Sequence, residues 1–301
     1  MNSRCAPKPN VYRREKRTTN NLAGWLQHAR RLAPSPETGQ GISLLEVSLL
    51  AAAVMERPRA WILAHPEYEL EPAVLERLEN LLSRLLTGEP LAYLTGQREF
   101  YGLDFLVTPA VLVPRPETEL LVETAVEWLC ANPARRTAVD VGAGSGCITV
   151  TLAKLVPRLQ LTAVDRSPAA LEIAGINAAA HQVAGRIAFV QGDLLSAFAG
   201  PLDLVCANLP YIPSADAAAL PVARFEPFLA LDGGPDGLEL IRRLLAQLPR
   251  CLAPGGLALL EIEYRQGEQV QSLARTALPG ARVSCLPDLA GLDRLIRIEA
   301  Q

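Results

Sequence analysis

Four consecutive residues, Asn208-Leu209-Pro210-Tyr211, carry the most specific chemistry in the sequence. They follow a short apolar run, residues 203–207, that is typical of a buried strand. The Asn208 side chain offers an acceptor oxygen and an NH2 donor. Pro210 confines Leu209 to extended backbone, which directs the Leu209 carbonyl outward. Because Tyr211 adds an aromatic wall with a polar tip, the stretch predicts a clamp for a small planar NH2 group.

Such a clamp would do chemistry by positioning. An NH2 group conjugated to a carbonyl or a ring is a poor nucleophile. Two fixed acceptors for its hydrogens can turn its lone pair toward an electrophile, which is catalysis by orientation and electrostatics. Taken alone, the four residues are equally consistent with a proline-containing turn after a strand. The sequence upstream decides between the two interpretations.

A glycine-rich turn upstream is the second candidate site. Residues 138–146 are typical of a strand that enters a turn and then a helix, and the glycines of that turn would let a ligand lie against the backbone. The spacing G-x-G-x-G does not fit the dinucleotide pattern G-x-G-x-x-G, whose last glycine would fall on Cys147. This leaves room for an adenosyl cofactor without a pyrophosphate. The turn consists of Gly142, Ala143, Gly144, Ser145 and Gly146.

Two aspartates follow the next two predicted strands. Asp165 ends the first of them, where an acid suits the two hydroxyls of a ribose. Asp193 follows the second and could reach an adenine amino group, with Leu194 packing on the ring. Each aspartate by itself is equally consistent with a cap or a turn. Their order along one sheet, between the glycine turn and the clamp, predicts a nucleoside-like pocket beside the clamp.

Alternating strands and helices must position these residues. This alternation predicts a mostly parallel sheet with helices on both faces and a ligand at the carboxyl ends of the strands. The predicted strands are 137–141, 160–164, 186–190, 203–207, 257–262, 281–286 and 294–299, and the predicted helices are 146–156, 168–182, 236–252 and 266–277.

Residues 22–95 show helical periodicity instead. Ser43 and Glu46 form a capping box, which predicts a helix over Leu44–Met55, and a second helix is predicted over Pro72–Leu86. Before these helices, Leu22, Trp25, Leu26 and Ala29 also recur at helical spacing, and a loop is expected after them, from Pro34 to Gly41.

A change of period follows this helical region. Residues 93–107 are aromatic and β-rich, which predicts a hairpin with Gly96 and Gly102 as turn points. Beyond it, two prolines should hold Arg115 extended, and Thr118 suits the start of a helix that runs to about Ala131.

Length and composition restrict the function classes. A chain of 301 residues suggests about two domains. Half of the residues are hydrophobic and the net charge is −3, which argues against a general nucleic-acid binder. The six cysteines contain no C-x-x-C pair and suit a reducing compartment without structural zinc. Residues 1–21 are a basic tail that we expect to be disordered; it has no apolar core of a signal peptide, and we expect a cytoplasmic protein.

Together, the pocket and the clamp resemble a class I S-adenosylmethionine-dependent methyltransferase that acts on an amide or amino nitrogen. From about residue 40 onward the sequence is similar to the release factor glutamine methyltransferases, the PrmC/HemK family. The glycine turn is generic, whereas residues 113–119 (Val-Pro-Arg-Pro-Glu-Thr-Glu) and 231–237 (Leu-Asp-Gly-Gly-Pro-Asp-Gly) are much more specific. Further matching segments are 88–96, 100–102, 140–146, 208–212, 226–227, 260–262, 266–267 and 288–291.

This resemblance implies an α/β fold class and a division into domains. After the tail, a small helical substrate-recognition domain would occupy residues 22–95 and a β-hairpin linker residues 96–113. A Rossmann-like class I methyltransferase domain with a mostly parallel seven-stranded sheet would occupy residues 114–301. The implied reaction moves a methyl group from S-adenosylmethionine to the glutamine amide nitrogen of the Gly-Gly-Gln loop in peptide-chain release factors. The implied reaction requires neither a metal nor a covalent intermediate. No apolar run approaches the roughly 18 residues of a membrane span, and we expect a monomer that does not bind nucleic acid directly.

The same resemblance implies a role for each candidate residue. The cofactor would lie against Gly142 to Gly146, with Asp165 on its ribose, Asp193 and Leu194 by its adenine, and Asn208 beside it. The substrate NH2 would be held by Asn208 and the Leu209 carbonyl, with Pro210 and Tyr211 shaping the pocket and Arg115 and Glu119 at its border.

One departure keeps other functions open. The family's usual motif is Asn-Pro-Pro-Tyr, and here Leu209 stands at the second position. Asn-Leu-Pro-Tyr is also similar to the motif of ribosomal RNA adenine dimethyltransferases, so an adenine amino-group methyltransferase on RNA or DNA is an alternative. A glutamine of a ribosomal protein is another possible target, and a non-catalytic binding module is a third interpretation.

Overall fold

The computed structural model describes residues 20–32, 42–198 and 200–301. The chain divides into two compact units, Met1–Thr95 and Gly96–Gln301. The predicted basic tail, apart from its last residues, and the predicted loop from Pro34 to Gly41 lie outside the described residues. In the described part of the chain, no helix combines the length and the apolar character that crossing a membrane requires.

In the described part of the first unit, helices pack around an apolar core that includes Leu22, Trp25 and Leu50. The capping box is confirmed, because the Ser43 side chain accepts from the Glu46 amide and the Glu46 side chain accepts from the Ser43 amide. The helices are α1 (Leu22–Leu32), α2 (Leu44–Met55), α3 (Arg59–Ala64), α4 (Pro72–Leu86) and α5 (Leu91–Thr95).

Two details of this unit differ from the sequence prediction. Asn20 and Asn21 were assigned to the tail, but the Asn20 carbonyl accepts from the Leu70 amide and Asn21 pairs with Glu69 in an antiparallel bridge. Tyr93 was assigned to the β-rich segment, but it lies in α5. Aromatic content suggested a strand there, whereas the Leu91, Ala92 and Leu94 side chains pack with the helical core or are buried.

The second unit opens with the predicted hairpin, β1 (Gln97–Phe100) and β2 (Leu103–Leu106), which pair antiparallel. Its tight turn holds Tyr101 at φ 53° and Gly102 at φ +73°. Both Phe100 and Phe105 are fully buried and meet edge to face. The hairpin therefore packs by its aromatic side chains into the core of this unit.

A seven-stranded sheet follows, in the order β5-β4-β3-β6-β7-β9-β8, and this confirms the predicted α/β class. The pairs among β5, β4, β3, β6 and β7 are parallel, while β9 runs antiparallel to both β7 and β8. The strands are β3 (Thr137–Val141), β4 (Gln160–Asp165), β5 (Ile187–Gln191), β6 (Leu202–Ala207), β7 (Leu252–Glu261), β8 (Arg282–Pro287) and β9 (Asp293–Glu299).

Helices cover both faces of the sheet, and each face has its own apolar cluster. The helices are α6 (Glu119–Ala131), α7 (Cys147–Leu155), α8 (Pro168–Ala180), α9 (Ser214–Ala219), α10 (Glu239–Cys251) and α11 (Gly267–Ala277). The sequence prediction missed α9 and began β7 five positions late, at residue 257. The strand order reverses at β3, where β4 and β6 lie on opposite sides, and a ligand cleft is expected at such a point.

Candidate active site

The carboxyl ends of β3, β4, β5 and β6 open into one cleft. The structure brings most of the predicted site residues together on its walls. Those that line the cleft are Arg115, Gly142, Ala143, Gly144, Ser145, Asp165, Asp193, Leu194, Asn208, Leu209 and Pro210.

The glycine turn after β3 is fixed by backbone hydrogen bonds to β4. The Gly142 and Ala143 amides both donate to the Val164 carbonyl, at 2.8 and 3.0 Å. Gly142 has φ +78°, and a Cβ on it would stand 3.1 Å from Leu209 Cδ2. The missing side chain therefore lets the turn and the Leu209 side chain approach each other closely.

Asp165 closes the turn from the neighbouring strand. Its Oδ2 accepts from the Gly144 amide at 2.9 Å, and its Oδ1 accepts from the Ser167 amide at 2.9 Å. Each carboxylate oxygen can accept more than one hydrogen bond. The side chain is thus held in place by the backbone and keeps acceptor capacity toward the cleft that it lines.

Arg243 on α10 forms an ion pair with Asp193. Asp193 Oδ2 pairs with Arg243 Nη2 at 2.5 Å, while Asp193 Oδ1 is buried and has no partner among the described residues. Leu194, next in the chain, is 5% exposed and has φ 53°. An acceptor without a partner and an apolar side chain therefore stand side by side in the cleft wall.

The four-residue clamp segment lies at the end of β6. Leu209 is 5% exposed, so its side chain belongs to the core and its role in the cleft falls to its backbone. The chain behind it is close, because a Cβ on Gly233 would come within 2.7 Å of the Pro210 carbonyl oxygen, and one on Gly237 would clash with the Tyr211 carbonyl oxygen. Gln266 Nε2 also donates to the Tyr211 carbonyl at 3.0 Å. The loop 232–237 thus supports the clamp from behind.

Three of the predicted site residues lie away from the cleft wall. Gly146 begins α7 and faces Ala174, since a Cβ on it would be 3.0 Å from Ala174 Cβ. The Tyr211 hydroxyl reaches back toward Glu261 at 3.5 Å. Glu119 was predicted at the border of the site, but its Oε1 accepts from the Tyr101 amide at 2.8 Å, which ties α6 to the hairpin turn.

An ion pair with the buried Glu226 holds Arg115, and the sequence analysis gave Glu226 no role. Glu226 is 3% exposed; its Oε2 pairs with Arg115 Nη2 at 2.6 Å and its Oε1 accepts from the Val113 amide at 3.3 Å. Burial raises the pKa of Glu226, and the charge of Arg115 opposes that rise. Arg115 is extended as predicted, with φ −102° and ψ 141°. The pair joins the segment before α6 to a residue far along the chain.

Thr118 corrects a second prediction. It was expected to cap α6, yet its backbone is αR and its side chain makes no capping bond. Its Oγ1 instead accepts from Asn208 Nδ2 at 3.0 Å. Thr118 is 2% exposed and lies beside the equally buried Glu261 at the end of β7. The sequence offered one signal for this contact: a polar residue that falls inside a core needs a hydrogen-bond partner.

Comparison with known proteins agrees with this geometry. Residues 25–96 match a family model described as the PrmC N-terminal domain, and residues 116–224 match one described as the methyltransferase small domain. The solved structure of the hMettl16 catalytic domain with a MAT2A 3′UTR hairpin superimposes with a TM-score of 0.52 at 14% identity, covering 76% of this chain and 82% of that one. The fold and the cleft thus define a class I S-adenosylmethionine-dependent methyltransferase.

Two relatives are much closer in sequence. A release factor glutamine methyltransferase of Moorella thermoacetica is 47% identical over 83% of this chain and 88% of its own length. Another with the same description, from Nitratidesulfovibrio vulgaris, is 42% identical over 91% of this chain and 94% of its own length. The chain belongs to the release factor glutamine methyltransferase family.

Proposed function

We propose that this protein transfers a methyl group from S-adenosylmethionine to the side-chain amide nitrogen of the glutamine in the Gly-Gly-Gln loop of peptide-chain release factors. The orientation of Asn208 carries this proposal. Its NH2 group is committed to Thr118, so its Oδ1 is the group left to accept in the cleft. An acceptor there suits a substrate that presents an NH2 group.

The cleft fits the cofactor on one observation: Asp193 Oδ1 is an acceptor without a partner among the described residues, next to Leu194 in the cleft wall. Asp165 would take the ribose hydroxyls, Asp193 the adenine amino group and Leu194 the adenine ring. When bound, S-adenosylmethionine supplies a methyl group on a positively charged sulfur.

This chain's own residues would act by orientation. Asn208 Oδ1 and the Leu209 carbonyl accept the two hydrogens of the glutamine NH2, which points the nitrogen lone pair at the methyl group. Pro210 keeps Leu209 extended, so the Leu209 carbonyl does not turn away. Because accepting oxygens favour positive charge on the nitrogen, they stabilise the charge that develops there during transfer. The proton then leaves to water, and no general base is assigned.

Leu209 is compatible with this role. The clamp uses its backbone carbonyl, which every residue type retains, and its side chain is buried in the same cluster as Val141 and Val164. The proline that usually stands at this position of the family would supply rigidity, and here packing supplies part of it.

We further propose that the unit containing residues 22–95 recognises the release factor, that the hairpin of residues 96–113 is the linker, and that residues 114–301 perform the transfer. The match of residues 25–96 to the PrmC N-terminal domain supports this division.

A methylation assay tests the proposal. The protein is mixed with S-adenosylmethionine and an unmodified release factor, and the added methyl group is located by peptide mass spectrometry. We expect it on the Gly-Gly-Gln glutamine, and we expect Asn208→Ala to lower the rate about 100-fold or more, the loss typical of a misplaced reactant. A separate measurement of cofactor affinity for Asn208→Ala shows whether the cleft is intact.

The alternatives give different outcomes in the same assay. Methyl transfer to ribosomal RNA without transfer to the release factor would identify an adenine amino-group methyltransferase. Cofactor binding without transfer to either substrate would identify a binding module. Both results would contradict the proposed function.

A further inference from the structure

One buried acid joins two segments of the cleft wall. Residues 114–115 and residues 227–230 both contribute to this wall. Glu226 immediately precedes the second segment and bonds to the first, because its Oε2 accepts from Arg115 Nη2 at 2.6 Å and its Oε1 accepts from the Val113 amide at 3.3 Å. The Glu226 side chain is 0% exposed. Both of its carboxylate oxygens are thus engaged beneath the wall.

The Arg115 side chain is fixed at both of its ends. Its backbone stands between Pro114 and Pro116 and is extended, with φ −102° and ψ 141°, since a following proline disfavours the helical region. Its tip is held by the ion pair with Glu226. A side chain that is already ordered loses little rotamer freedom when it binds a ligand. Arg115 is therefore preorganised for binding.

The guanidinium of Arg115 keeps donors for a ligand. A guanidinium carries five N–H donors in a planar fork, and here the bond to Glu226 is its one hydrogen bond to a described residue. The Arg115 side chain is 38% exposed and lines the cleft. Fixed, unengaged N–H donors of a cation at a cleft wall suit an oxygen acceptor.

Arg115 and the clamp lie on the same side of the cleft. The Arg115 carbonyl accepts from the Thr118 amide at 3.2 Å, and the Thr118 hydroxyl accepts from Asn208 Nδ2 at 3.0 Å. The aspartates proposed for the cofactor follow β4 and β5, which lie on the opposite side of β3 from β6. We therefore expect an acceptor that reaches Arg115 to belong to the molecule that the clamp holds.

We propose that Glu226 is a positioning residue for the methyl transfer: it fixes Arg115 in the cleft wall so that the free N–H donors of the guanidinium hold main-chain carbonyl oxygens next to the target glutamine. This inference rests on the proposed function. The two residues before the glutamine in Gly-Gly-Gln have no side chain that would shield their carbonyl oxygens. Glu226 does not line the cleft and acts through Arg115.

The alternative is a purely structural ion pair that joins the two wall segments. Apolar side chains of similar volume often stabilise a core as well as a buried ion pair does. They would not leave unengaged N–H donors at the cleft wall. The pair is therefore better explained by the donors that it positions than by its contribution to stability.

Single substitutions test the proposal by kinetics. Arg115→Lys keeps a charge for Glu226 but loses the planar fork that can serve a carboxylate and a second acceptor together. We expect its thermal midpoint to stay within about 3 °C of the wild type. Its KM for unmodified release factor should rise about tenfold or more, the loss typical of a hydrogen bond from a charged group. In Glu226→Gln, which loosens Arg115, KM should rise about threefold to tenfold.

A double variant separates positioning from structure. Arg115→Met leaves the buried Glu226 carboxylate without its partner, so we expect its thermal midpoint to fall by about 5–10 °C. Arg115→Met/Glu226→Gln removes both charges and should recover most of that stability. Its KM should stay as high as in Arg115→Met, because the donors are still absent and both substitutions act on one interaction. If KM recovers together with the stability, the pair is structural and the proposal is overturned.

Arg282→Met is the matched control. Arg282 is 83% exposed and pairs with Glu299 at 3.7 Å at the start of β8, away from the cleft. Its KM and its thermal midpoint should stay close to those of the wild type, since an exposed ion pair contributes little.

The affinity for S-adenosylmethionine identifies the molecule that Arg115 binds. We expect it to stay within about twofold of the wild type in the Arg115 and Glu226 variants. A large loss of this affinity in Arg115→Met, with KM for the release factor unchanged, would assign the donors to the cofactor and overturn the proposal.

A binding measurement distinguishes this proposal from the proposed function. Calorimetric titration measures the affinity of unmodified release factor for the protein loaded with S-adenosylhomocysteine, which has no methyl group to transfer. If Arg115→Met and Glu226→Gln weaken this binding but the wild type methylates no glutamine, the proposed function fails and the positioning role stands. If the wild type methylates the glutamine but both substitutions leave KM and affinity unchanged, the positioning role alone fails. If the release factor neither binds nor is methylated, both fail.

Discussion

Gly142 shows what a single residue contributes to the cleft. Its backbone has φ +78°, and an added Cβ would meet Leu209 Cδ2 at 3.1 Å and the Asn208 carbonyl oxygen at 3.7 Å. The glycine therefore sets the distance between the cofactor turn and the clamp. Leu209 fills the other side of that contact, so the turn and the clamp segment constrain each other.

We expect Gly142→Ala to destabilise the protein by about 1–2 kcal/mol, because an L-residue is strained at this φ. It should also weaken S-adenosylmethionine binding about tenfold, since Leu209 must shift (tenfold is about 1.4 kcal/mol). Calorimetric titration measures the affinity, and thermal unfolding measures the stability.

Gly175→Ala is the matched control. Gly175 lies inside α8 without a positive φ, and its Cβ would meet nothing within 4 Å. Alanine there should stabilise the helix by about 0.5–1 kcal/mol and leave the affinity unchanged. Equal effects of the two substitutions would show that the conformation of Gly142 does not matter.

Thr118 shows the limit of prediction from single residues. The sequence correctly predicted that Arg115 is extended and that most of the candidate residues meet in the cleft, because strand ends of a parallel sheet lie at one edge; Gly146, Tyr211 and Glu119 lie away from it. It assigned Thr118 to a local cap, whereas the structure bonds its side chain to Asn208, 90 positions away. A local pattern cannot predict a contact that only the tertiary fold creates.

Among the elements, the start of β6 is joined to the start of β3 by one side chain. Asp203 accepts from Arg135 Nη1 at 3.0 Å, from the Arg136 amide at 2.9 Å, and from the amide and hydroxyl of Thr137 at 3.1 and 2.9 Å. Burial raises the pKa of Asp203, but these donors outweigh it and hold the pKa below its ordinary value. The strands β3 and β6, which carry the glycine turn and the clamp, are thus aligned at their amino ends, opposite the cleft.

We expect Asp203→Ala to lower the free energy of unfolding of this unit by about 1–3 kcal/mol at pH 7, because several donors lose their acceptor. A pKa below the ordinary value means that the stabilisation is present above about pH 4 and is lost as pH falls through the lowered pKa. The difference between variant and wild type should be constant from pH 5 to 8 and shrink in stronger acid.

Urea unfolding, monitored by hydrogen exchange in peptides from β3 and β6, measures the free energy of unfolding of this unit separately from that of the helical unit. Asp216→Ala, an exposed aspartate in the first turn of α9, is the control and should stay within about 0.5 kcal/mol of the wild type. A pH-independent difference for Asp203→Ala would show that its charge has no part in the effect.

At the scale of elements, patterns with a fixed period were predictable and irregular ones were not. Helices α2 and α4 begin and end where their capping box, proline and leucine stripe indicated. By contrast, Glu226 follows a short 3-10 turn, and its pairing with Arg115 spans 111 positions. The buried partner of a charged residue depends on how the sheet and its loops fold together, which periodicity does not encode.

For the molecule as a whole, we propose that the division into two units separates two tasks. The residues that line the cleft run from Ala110 to Leu240 and all belong to the second unit, Gly96–Gln301. This unit also contains the hairpin, whose aromatic residues are part of its core. Binding of the cofactor should therefore need the second unit alone, whereas we propose that recognition of the release factor needs the first.

A fragment of residues 96–301 tests this separation. We expect its affinity for S-adenosylmethionine to stay within about threefold of the full chain, a difference below 1 kcal/mol. Its kcat/KM for the release factor should fall at least about 100-fold, mainly through KM, because binding by the first unit would stabilise the ground state and the transition state equally. Calorimetry and steady-state kinetics measure the two quantities. Lost cofactor affinity in a folded fragment would show that the first unit contributes to the cleft, and an unchanged KM would show that it does not bind the substrate.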